Sequence, residues 1–313
     1  MSGRVAGIEL GGTKSVAVLV QGGVIVDRLR APTTLPEATL TALADRVAAW
    51  HSAEPLDAIG IASFGPVMLD PGDPAFGFIT GTPKPHWSNT DVRGHFVRAF
   101  AVPIGFDTDV GGAALAEGLS GAARGCSDHI YLTIGTGLGA GIVAGHRLVH
   151  GSGHPEFGHI RVRRVPGDPF TGACPFHGDC LEGLVAGPAL AARTGIAGDA
   201  IPGDHPVWNN VAVELAEAMA FLLTTLAPQR IVIGGGVAAG RPELLAAIHT
   251  RTSALIGGYL PNCSLADLAR VIVAAELGGD AGPLGAVELG LAALGAKSDG
   301  RSTVSGLSSS NQT

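Results

Sequence analysis

The sequence lacks the marks of a secreted, membrane-spanning or nucleic-acid-binding protein. Its N-terminus has no basic start followed by an unbroken apolar stretch, since Glu9 interrupts the first apolar segment, so we expect no signal peptide. Uncharged apolar runs of about 18 residues without Gly or Pro are missing, so no membrane span is predicted. The 20 basic residues are scattered and outnumbered by 27 acidic ones, which argues against a nucleic-acid surface. We expect a cytoplasmic globular protein.

Cysteine is scarce as well, with four in 313 residues, but two of the four are clustered. The segment "CPFHGDC" places Cys174, His177 and Cys180 at C-x2-H-x2-C spacing, and His159 upstream would complete a Cys2His2 set. Two thiolates and two imidazoles suit tetrahedral Zn2+. A disulfide between Cys174 and Cys180 is the competing interpretation, but a reducing cytoplasm and the interposed His177 favour zinc.

The chain is rich in glycine, and its apolar segments predict two similar α/β halves. In the first half, three closely spaced strands are expected to form an antiparallel meander, and they are followed by a helix, two strands and a short helix. The predicted ranges in this half are 5–10, 15–20, 24–29, 37–51, 57–63, 102–107 and 111–118. The second half predicts a similar hairpin within 129–151 and then a helix, a strand, a helix, a strand and a last helix. Their ranges are 211–226, 230–236, from 242, 270–275 and 283–294.

The two halves match at one constant offset. Gly11 and residues 17–19 correspond to Gly135 and residues 141–143, each 124 positions later. This spacing indicates an internal repeat, although two unrelated hairpins would also explain it. The Ser-rich tail 297–313 has almost no apolar residues and is expected to be disordered.

Glycine-rich turns are the first candidate ligand-binding feature. Glycines let backbone N–H groups approach phosphate oxygens, and nearby hydroxyl and ammonium groups add donors. Two such turns open the two halves and could grip a polyphosphate from both sides of a cleft: Gly11, Gly12, Thr13 and Lys14, and Gly135, Thr136 and Gly137. Taken singly, either turn is equally well explained as a plain hairpin. A third cluster, Gly234, Gly235 and Gly236, follows a predicted strand and would let a nucleoside lie against the backbone.

Acidic and imidazole side chains provide the candidate chemistry. Asp109 follows a predicted strand and precedes a helix, so its carboxylate could take a proton from an attacking hydroxyl, or it could simply cap the helix. The segment "GHPEFGHI" contains His154, Glu156 and His159, and Glu182 lies beyond the cysteine cluster. Such groups suit a ligand with several hydroxyls, whereas the alternative is a polar surface loop.

Six segments together resemble the ROK family of sugar kinases and repressors, most closely its fructokinase branch. In chain order they are "GIELGGTK", "FDTDVGGAALAEG", "TIGTGLGAGIV", "HPEFGHI", "CPFHGDCLEGLVAGPAL" and "IVIGGGV", and the resemblance covers residues 4–295. It implies an α/β protein with the two-domain actin/hexokinase-like duplicated ribonuclease H fold and an interdomain cleft. The implied domains are 1–118 plus 283–296, and 119–282.

The same resemblance implies the site residues. Asp109 would be the general base on the sugar hydroxyl, and the two hairpin turns would hold the ATP phosphates. Sugar ligands would be Asp109, Glu156, His159 and Glu182, with His159 also bound to a structural Zn2+ together with Cys174, His177 and Cys180. Residues near adenosine would be Pro188, Gly234, Gly235, Gly236 and Val237.

The sequence departs from the wider family at three places. Glu9 replaces a frequent Asp, which leaves its contact with Mg2+ open. The C-x2-H-x2-C zinc motif replaces a three-cysteine form, and "FDTD" replaces a more usual Asn-Asp. The last two differences point to the fructokinase branch.

The resemblance therefore predicts an Mg2+-dependent kinase that moves the γ-phosphoryl of ATP to the 6-hydroxyl of fructose, as a homodimer. A kinase that prefers mannose or glucose is the nearest alternative. A sugar-sensing repressor is disfavoured because the first glycine turn starts at Gly11, which leaves no room for a DNA-reading helix pair ahead of it.

Overall fold

The structure is a computed structural model that describes residues 3–198, 200–239 and 241–298. Its strands are β1 (Val5–Leu10), β2 (Lys14–Gln21), β3 (Val24–Pro32), β4 (Ala58–Ser63), β5 (Phe78–Ile79), β6 (Thr90–Asp91), β7 (Ile104–Thr108), β8 (His129–Ile134), β9 (Leu138–Ala144), β10 (Arg147–Leu148), β11 (Arg230–Gly234) and β12 (Ile272–Ala274). Its α-helices are α1 (Pro36–Ala53), α2 (Val92–Ala99), α3 (Asp109–Ser120), α4 (Leu181–Val185), α5 (Gly187–Thr194), α6 (Val207–Thr225), α7 (Pro242–Ile256), α8 (Leu265–Val271) and α9 (Ala281–Ser298).

The first sheet has the strand order β3-β2-β1-β4-β7. Strands β1 to β3 form the predicted antiparallel meander, and β4 and β7 extend the sheet in parallel with β1. All six residues of β4 are buried, as expected of a parallel strand covered on both faces.

The second sheet repeats this order as β10-β9-β8-β11-β12, again with an antiparallel hairpin followed by two parallel strands. Strand β8 begins and ends 124 positions after β1, so the repeat predicted from sequence is confirmed. The registers differ by one residue: Leu10 pairs with Ser15, whereas Ile134 pairs with Leu138. The second hairpin loop is therefore one residue shorter than the first. As a result, residues 17–19 of β2 correspond to residues 140–142 of β9, and their predicted match with 141–143 is wrong by one position.

A row of glycines seats the last helix on the first sheet. Gly7, Gly60 and Gly105 are register partners on β1, β4 and β7. A Cβ on Gly60 would lie 1.7 Å from the Ala286 carbonyl oxygen, and one on Gly105 would lie 2.1 Å from that of Leu289. Any side chain at these two positions would push α9 away from the sheet.

Helix α3 follows the first sheet in the chain but packs on the second. A Cβ on Gly141 of β9 would lie 2.0 Å from the Val110 carbonyl oxygen, and the ring Nε2 of buried His129 is 2.9 Å from the Ala114 carbonyl. Helices α3 and α9 also touch each other closely between the sheets. The crossing of these two helices joins the halves, while the domain boundaries given above stay a prediction.

Several elements were not foreseen. Helices α2, α4, α5 and α8 lie in segments without a predicted helix, and the strand expected at 270–275 is helical up to Val271. Helix α9 continues through Ser298, so the predicted tail is helical at its first two residues, and its remainder, 299–313, lies outside the described residues. Within the described ranges, no helix is both long and apolar enough to cross a membrane.

Candidate active site

The glycine turns of both sheets open into one cleft of about 1540 Å³. This volume exceeds the ~300–1,000 Å³ usual for a pocket that holds one small ligand, so the cleft has room for two. The two turns face each other closely, with the hydroxyl oxygens of Thr13 and Thr136 3.5 Å apart. The structure therefore brings together two segments that are more than 120 residues apart in sequence.

The first turn is held from the side by Thr33. The Thr33 hydroxyl donates to the Gly11 carbonyl at 2.7 Å, and its backbone N–H donates to the Thr13 carbonyl at 2.9 Å. A Cβ on Gly11 would lie 2.7 Å from the Lys14 carbonyl oxygen, so the tight turn requires glycine there. Gly12, Thr13 and Lys14 remain exposed along the cleft.

The second turn carries no charge of its own and is held by its neighbours. Glu182 accepts the Leu138 N–H on Oε2 at 3.0 Å, and the Gly187 N–H donates to the Gly135 carbonyl at 2.8 Å. Residues Gly135, Thr136 and Gly137 all line the cleft. Glu182, predicted as a sugar ligand, thus also fixes this turn.

Asp109 lies at the cleft and does not cap α3. The cap is Thr108, whose hydroxyl accepts the Gly111 N–H at 2.9 Å, so the alternative interpretation of Asp109 as the N-cap is wrong. Burial, and then the negative charge of Glu9, raise the pKa of Asp109 to about 7. A carboxylate with such a pKa is a suitable general base near neutral pH.

Glu9 is the acidic partner that raises this pKa. Its carboxylate contacts the start of α9, where a Cβ on Gly282 would lie 2.3 Å from Glu9 Oε1. Burial raises the pKa of Glu9, and Asp280 adds to the shift, while the Lys14 ammonium opposes it. Glu9 lines the same cleft as Asp109.

The predicted sugar ligands also meet in the cleft, which Glu156, His159 and Glu182 all line. Burial, and then the charge of Glu182, raise the pKa of Glu156 to about 7. His154, which the sequence groups with Glu156 and His159, also lines the cleft. Its Nε2 accepts the Val67 N–H at 3.0 Å, and its Nδ1 is 3.5 Å from Glu156 Oε1. It therefore ties this segment to the loop that follows β4 in the first sheet.

Cys174, His177, Cys180 and His159 converge, with all four candidate ligand atoms within 4.8 Å of one another. The two histidine Nδ1 atoms are 3.3 Å apart. Cys174 Sγ lies 3.8 Å from His159 Nδ1 and 3.7 Å from His177 Nδ1, and Cys180 Sγ lies 3.5 Å from His159 Nδ1. A tetrahedral zinc site with ordinary bond lengths requires about 3.3 Å and about 3.6 Å for these separations. The donor set therefore fits Zn2+, and all four cysteines of the chain are free thiols.

Local structure shapes this metal-ligand cluster. The backbones of Cys174 and Gly178 exchange two hydrogen bonds of 3.0 and 2.9 Å, and Gly178 has a φ of +63°, which favours glycine. The Arg193 side chain forms ion pairs with Asp168 and with Glu214 of α6, and so holds the loop that contains Asp168 against α6. Because His159 joins the cluster through Nδ1, its Nε2 is left outside the ligand set.

The predicted adenosine residues are only partly brought together. Gly234, Gly235 and Gly236 line the cleft, but Pro188 and Val237 do not. Pro188 is exposed near the start of α5, and Val237 is buried in the core. Apolar side chains of the following helix, α7, also line the cleft, and no sequence pattern indicated them: Leu244, Leu245 and Ile248.

A second lining segment was also missed. Residues Gly81, Thr82, Pro83 and Lys84 line the cleft from a loop between β5 and β6. The only sequence signal was a stretch rich in Gly, Thr and Pro, which indicates a turn and nothing about its place in the fold.

Comparison with known proteins agrees with this geometry. The model of the ROK family matches residues 5–293. A fructokinase of Pediococcus pentosaceus is 43% identical over 288 residues, covering 92% of this chain and 97% of its own. A fructokinase of Zymomonas mobilis subsp. mobilis is 40% identical over 294 residues, covering 91% of this chain and 96% of its own.

Solved structures share the architecture. A ROK hexokinase from Thermus thermophilus superposes with a TM-score of 0.75 at 28% identity, covering 92% of this chain and 98% of that one. A ROK family glucokinase from Streptomyces griseus, in complex with glucose and AMPPNP, gives 0.74 at 28% identity, covering 93% and 100%. The predicted actin/hexokinase-like fold class is confirmed.

Proposed function

The chain belongs to the ROK family, and from this premise we propose that it is a kinase that transfers the γ-phosphoryl group of ATP to the 6-hydroxyl of fructose. The observation that carries the proposal is a single cleft that holds a carboxylate with a pKa of about 7, two facing glycine turns and a cluster of hydroxyl-binding groups. These are a base, a phosphate grip and a polyol site, which phosphoryl transfer to a sugar requires.

The choice of fructose follows from the relatives. Five proteins named as fructokinases are 37% to 43% identical to this chain, whereas glucokinases of similar coverage are 30% to 31% identical. Glucose or mannose remains the second candidate substrate, because the glucokinase with bound glucose has the same architecture.

In the proposed mechanism, Asp109 accepts the proton of the sugar 6-hydroxyl as its oxygen attacks the γ-phosphorus. A new P–O6 bond forms while the bond from the γ-phosphorus to the bridging oxygen breaks, and ADP leaves with that electron pair. Backbone N–H groups and hydroxyls of the two turns, together with Lys14, hold the phosphates. Mg2+ enters with ATP as part of the substrate.

Sugar recognition is assigned to Glu156, His159 and Glu182, as the resemblance implies. Zn2+ is proposed to bind His159 Nδ1, Cys174, His177 and Cys180, and it would supply structural cross-linking. Because His159 Nε2 lies outside the cluster, the metal would orient this imidazole toward the sugar while the cluster joins the two segments that hold the other ligands. The proposal also includes a cytoplasmic location and a homodimer. Light scattering, which measures molar mass in solution, tests the homodimer.

The function is tested by coupled ADP release from the purified chain with MgATP and a panel of fructose, mannose, glucose and N-acetylmannosamine. We expect the highest kcat/KM for fructose and no turnover of 6-deoxyfructose, which lacks the attacking oxygen. A preference for glucose or mannose would replace the substrate and keep the reaction class. Absence of turnover with every hexose would overturn the proposal.

A further inference from the structure

Lysine is rare in this chain, and two of its three lysines lie in the cleft. Lys14, Lys84 and Lys297 are its only lysines, and the other 17 basic residues are arginines. Lys14 and Lys84 both line the cleft. A lysine ammonium is a compact charge that binds phosphate oxygens from varied directions, unlike the fixed fork of arginine. Lys14 belongs to the first glycine turn, but Lys84 has no place in the mechanism above.

Lys84 lies beside the first glycine turn. Its Nζ donates to the Thr33 carbonyl at 3.1 Å. Thr33 is the residue that binds the backbone carbonyls of Gly11 and Thr13. One residue therefore separates the Lys84 ammonium from the turn that is proposed to hold the ATP phosphates.

The segment that carries Lys84 is fixed, but its ammonium is not neutralised. Trp87 is fully buried, its indole N–H donates to the Thr34 carbonyl at 2.8 Å, and its ring packs against Phe64 with centroids 5.2 Å apart. Among the residues that the structure describes, no carboxylate forms an ion pair with Lys84. The charge is thus available to a ligand in the cleft.

The rest of the cleft creates a need for positive charge. Its acidic side chains are Glu9, Asp109, Glu156 and Glu182. The arginine that lines it, Arg241, directs its guanidinium at backbone carbonyl groups of Val237, Gly198 and Ile201. A phosphoryl group that passes among four carboxyl groups requires cations on its own oxygens.

We propose that Lys84 binds the transferred phosphoryl group, donating from Nζ to a γ-phosphoryl oxygen of ATP and then to the phosphate of the sugar product. This inference rests on the proposed function. It makes Lys84 the second lysine, after Lys14, that contacts the phosphates, and its role is separate from that of the sugar ligands Glu156, His159 and Glu182. Fructose is uncharged and its phosphate is not, so Lys84 should affect the phosphate-bearing states and leave binding of the free sugar unchanged.

The test compares Lys84→Gln and Lys84→Met with wild type. Lys84→Gln keeps a donor for the Thr33 carbonyl but removes the charge, whereas Lys84→Met removes both. Loss of a charge-assisted hydrogen bond predicts a kcat about ten- to a hundredfold lower in both variants. We also expect calorimetric affinity for fructose 6-phosphate to fall by about tenfold or more, with the KM for fructose within about twofold of wild type. Lys84→Arg should recover part of the loss.

Arg30→Met is the matched control, because Arg30 is an exposed cation on β3, three residues before Thr33, and does not line the cleft. It should behave as wild type. If Lys84→Gln had normal activity and Lys84→Met had reduced activity, Lys84 would only fasten its loop to Thr33. If both variants had a raised KM for fructose and an unchanged kcat, Lys84 would be a sugar ligand. Either result overturns the proposal. A wild-type protein inactive on every hexose overturns the proposed function as well, whereas active wild type with unaffected variants overturns this inference alone.

Discussion

The two glycine turns occupy equivalent places in sheets of the same topology, yet they differ in length, in charge and in the residues that hold them. The first turn has four residues between paired strands, is flanked by Glu9 and includes Lys14. The second has three, carries no charge, and is braced by Glu182 and the Gly187 N–H. The two turns proposed to hold phosphate therefore differ in chemistry, since the first offers a charged side chain and the second offers only neutral donors.

The same contrast extends to the ends of the sheets. Strand β7 leads directly into α3 with Asp109 at its first position, whereas β12 is followed by a short 3-10 helix, Gly278–Asp280, before α9. In the proposed mechanism the first half therefore provides the acid–base group, and the second half provides the glycine-lined surface proposed for the nucleoside together with the metal-ligand cluster. Five predictions test this division of roles.

The largest effect is expected from Asp109→Asn. It removes the proton acceptor of the first half but keeps the shape of the cleft, so kcat should fall by about a hundredfold or more. Turnover is measured by coupled ADP release, and calorimetry of ATP binding serves as the control, since the phosphate contacts remain. Retention of more than about one hundredth of wild-type turnover would remove Asp109 from the role of general base.

Cys180→Ala tests the metal-ligand cluster of the second half. Loss of one metal ligand should release bound zinc, lower the melting temperature and raise the sugar KM by about tenfold, while the KM for ATP changes less. Zinc content is measured by elemental analysis on the same sample. Cys263→Ala is the control, because Cys263 lies outside the cluster. A metal-free variant with a normal sugar KM would show that the cluster is only a local cross-link.

Lys14→Met and Thr136→Ala compare the two turns directly. Removing a charged donor should raise the KM for ATP by about tenfold, and removing a neutral hydroxyl donor by about threefold. The Lys14 effect should also shrink at high salt, since screening weakens the charge that is lost. Steady-state kinetics at two ionic strengths measure both. Equal effects with equal salt dependence would contradict the proposed difference between the turns.

The smallest effects concern pH. Because the folded protein raises the pKa of Asp109 from 3.8 to about 7, kcat/KM should rise with pH through about 7 and then level off. Glu9→Gln removes the repelling charge and should move this rise to lower pH. An unmoved profile would mean that Glu9 does not act on Asp109.

The same shift predicts an effect on stability. Ionising Asp109 is harder in the folded than in the unfolded chain, so its cost to stability grows from pH 3.8 to about 7 and is constant above that. Asp109→Asn should therefore melt higher than wild type at pH 8 and equally near pH 4. Scanning calorimetry of both proteins at pH 4 and pH 8 tests this. A melting temperature of Asp109→Asn below that of wild type at pH 8 would contradict the pKa assignment.

Much of the architecture was predictable because local patterns report local structure. The alternation of apolar and polar residues and the Gly-rich turns located the two hairpins, and the spacing of 124 residues between Gly11 and Gly135 indicated the repeat. Helices α2, α4 and α5 were missed, since they are short and lie in segments rich in Gly and Pro or polar residues, where periodicity is weak.

The site was predictable only where its residues are close in sequence or match a family motif. The cysteine cluster and the segment of Glu156 and His159 have such spacing. Lys84 does not, because its role depends on a contact with Thr33, 51 positions away. His154 was indicated by its place in the segment of Glu156, but its contact with Val67, 87 positions away, was not. Val237 follows the glycine cluster in sequence, but the turn directs its side chain into the core.

The sequence by itself determined the succession of strands and long helices along each half, the glycine positions and the available chemical groups, because these follow from local conformational preference and residue type. Only the tertiary structure decided which groups act together. Burial beside Glu9 sets the pKa of Asp109, the crossing of α3 and α9 brings the two turns to one cleft, and the fold around Thr33 places a second lysine beside the first turn. Electrostatic shifts and long-range contacts depend on distance in space, which sequence separation does not encode.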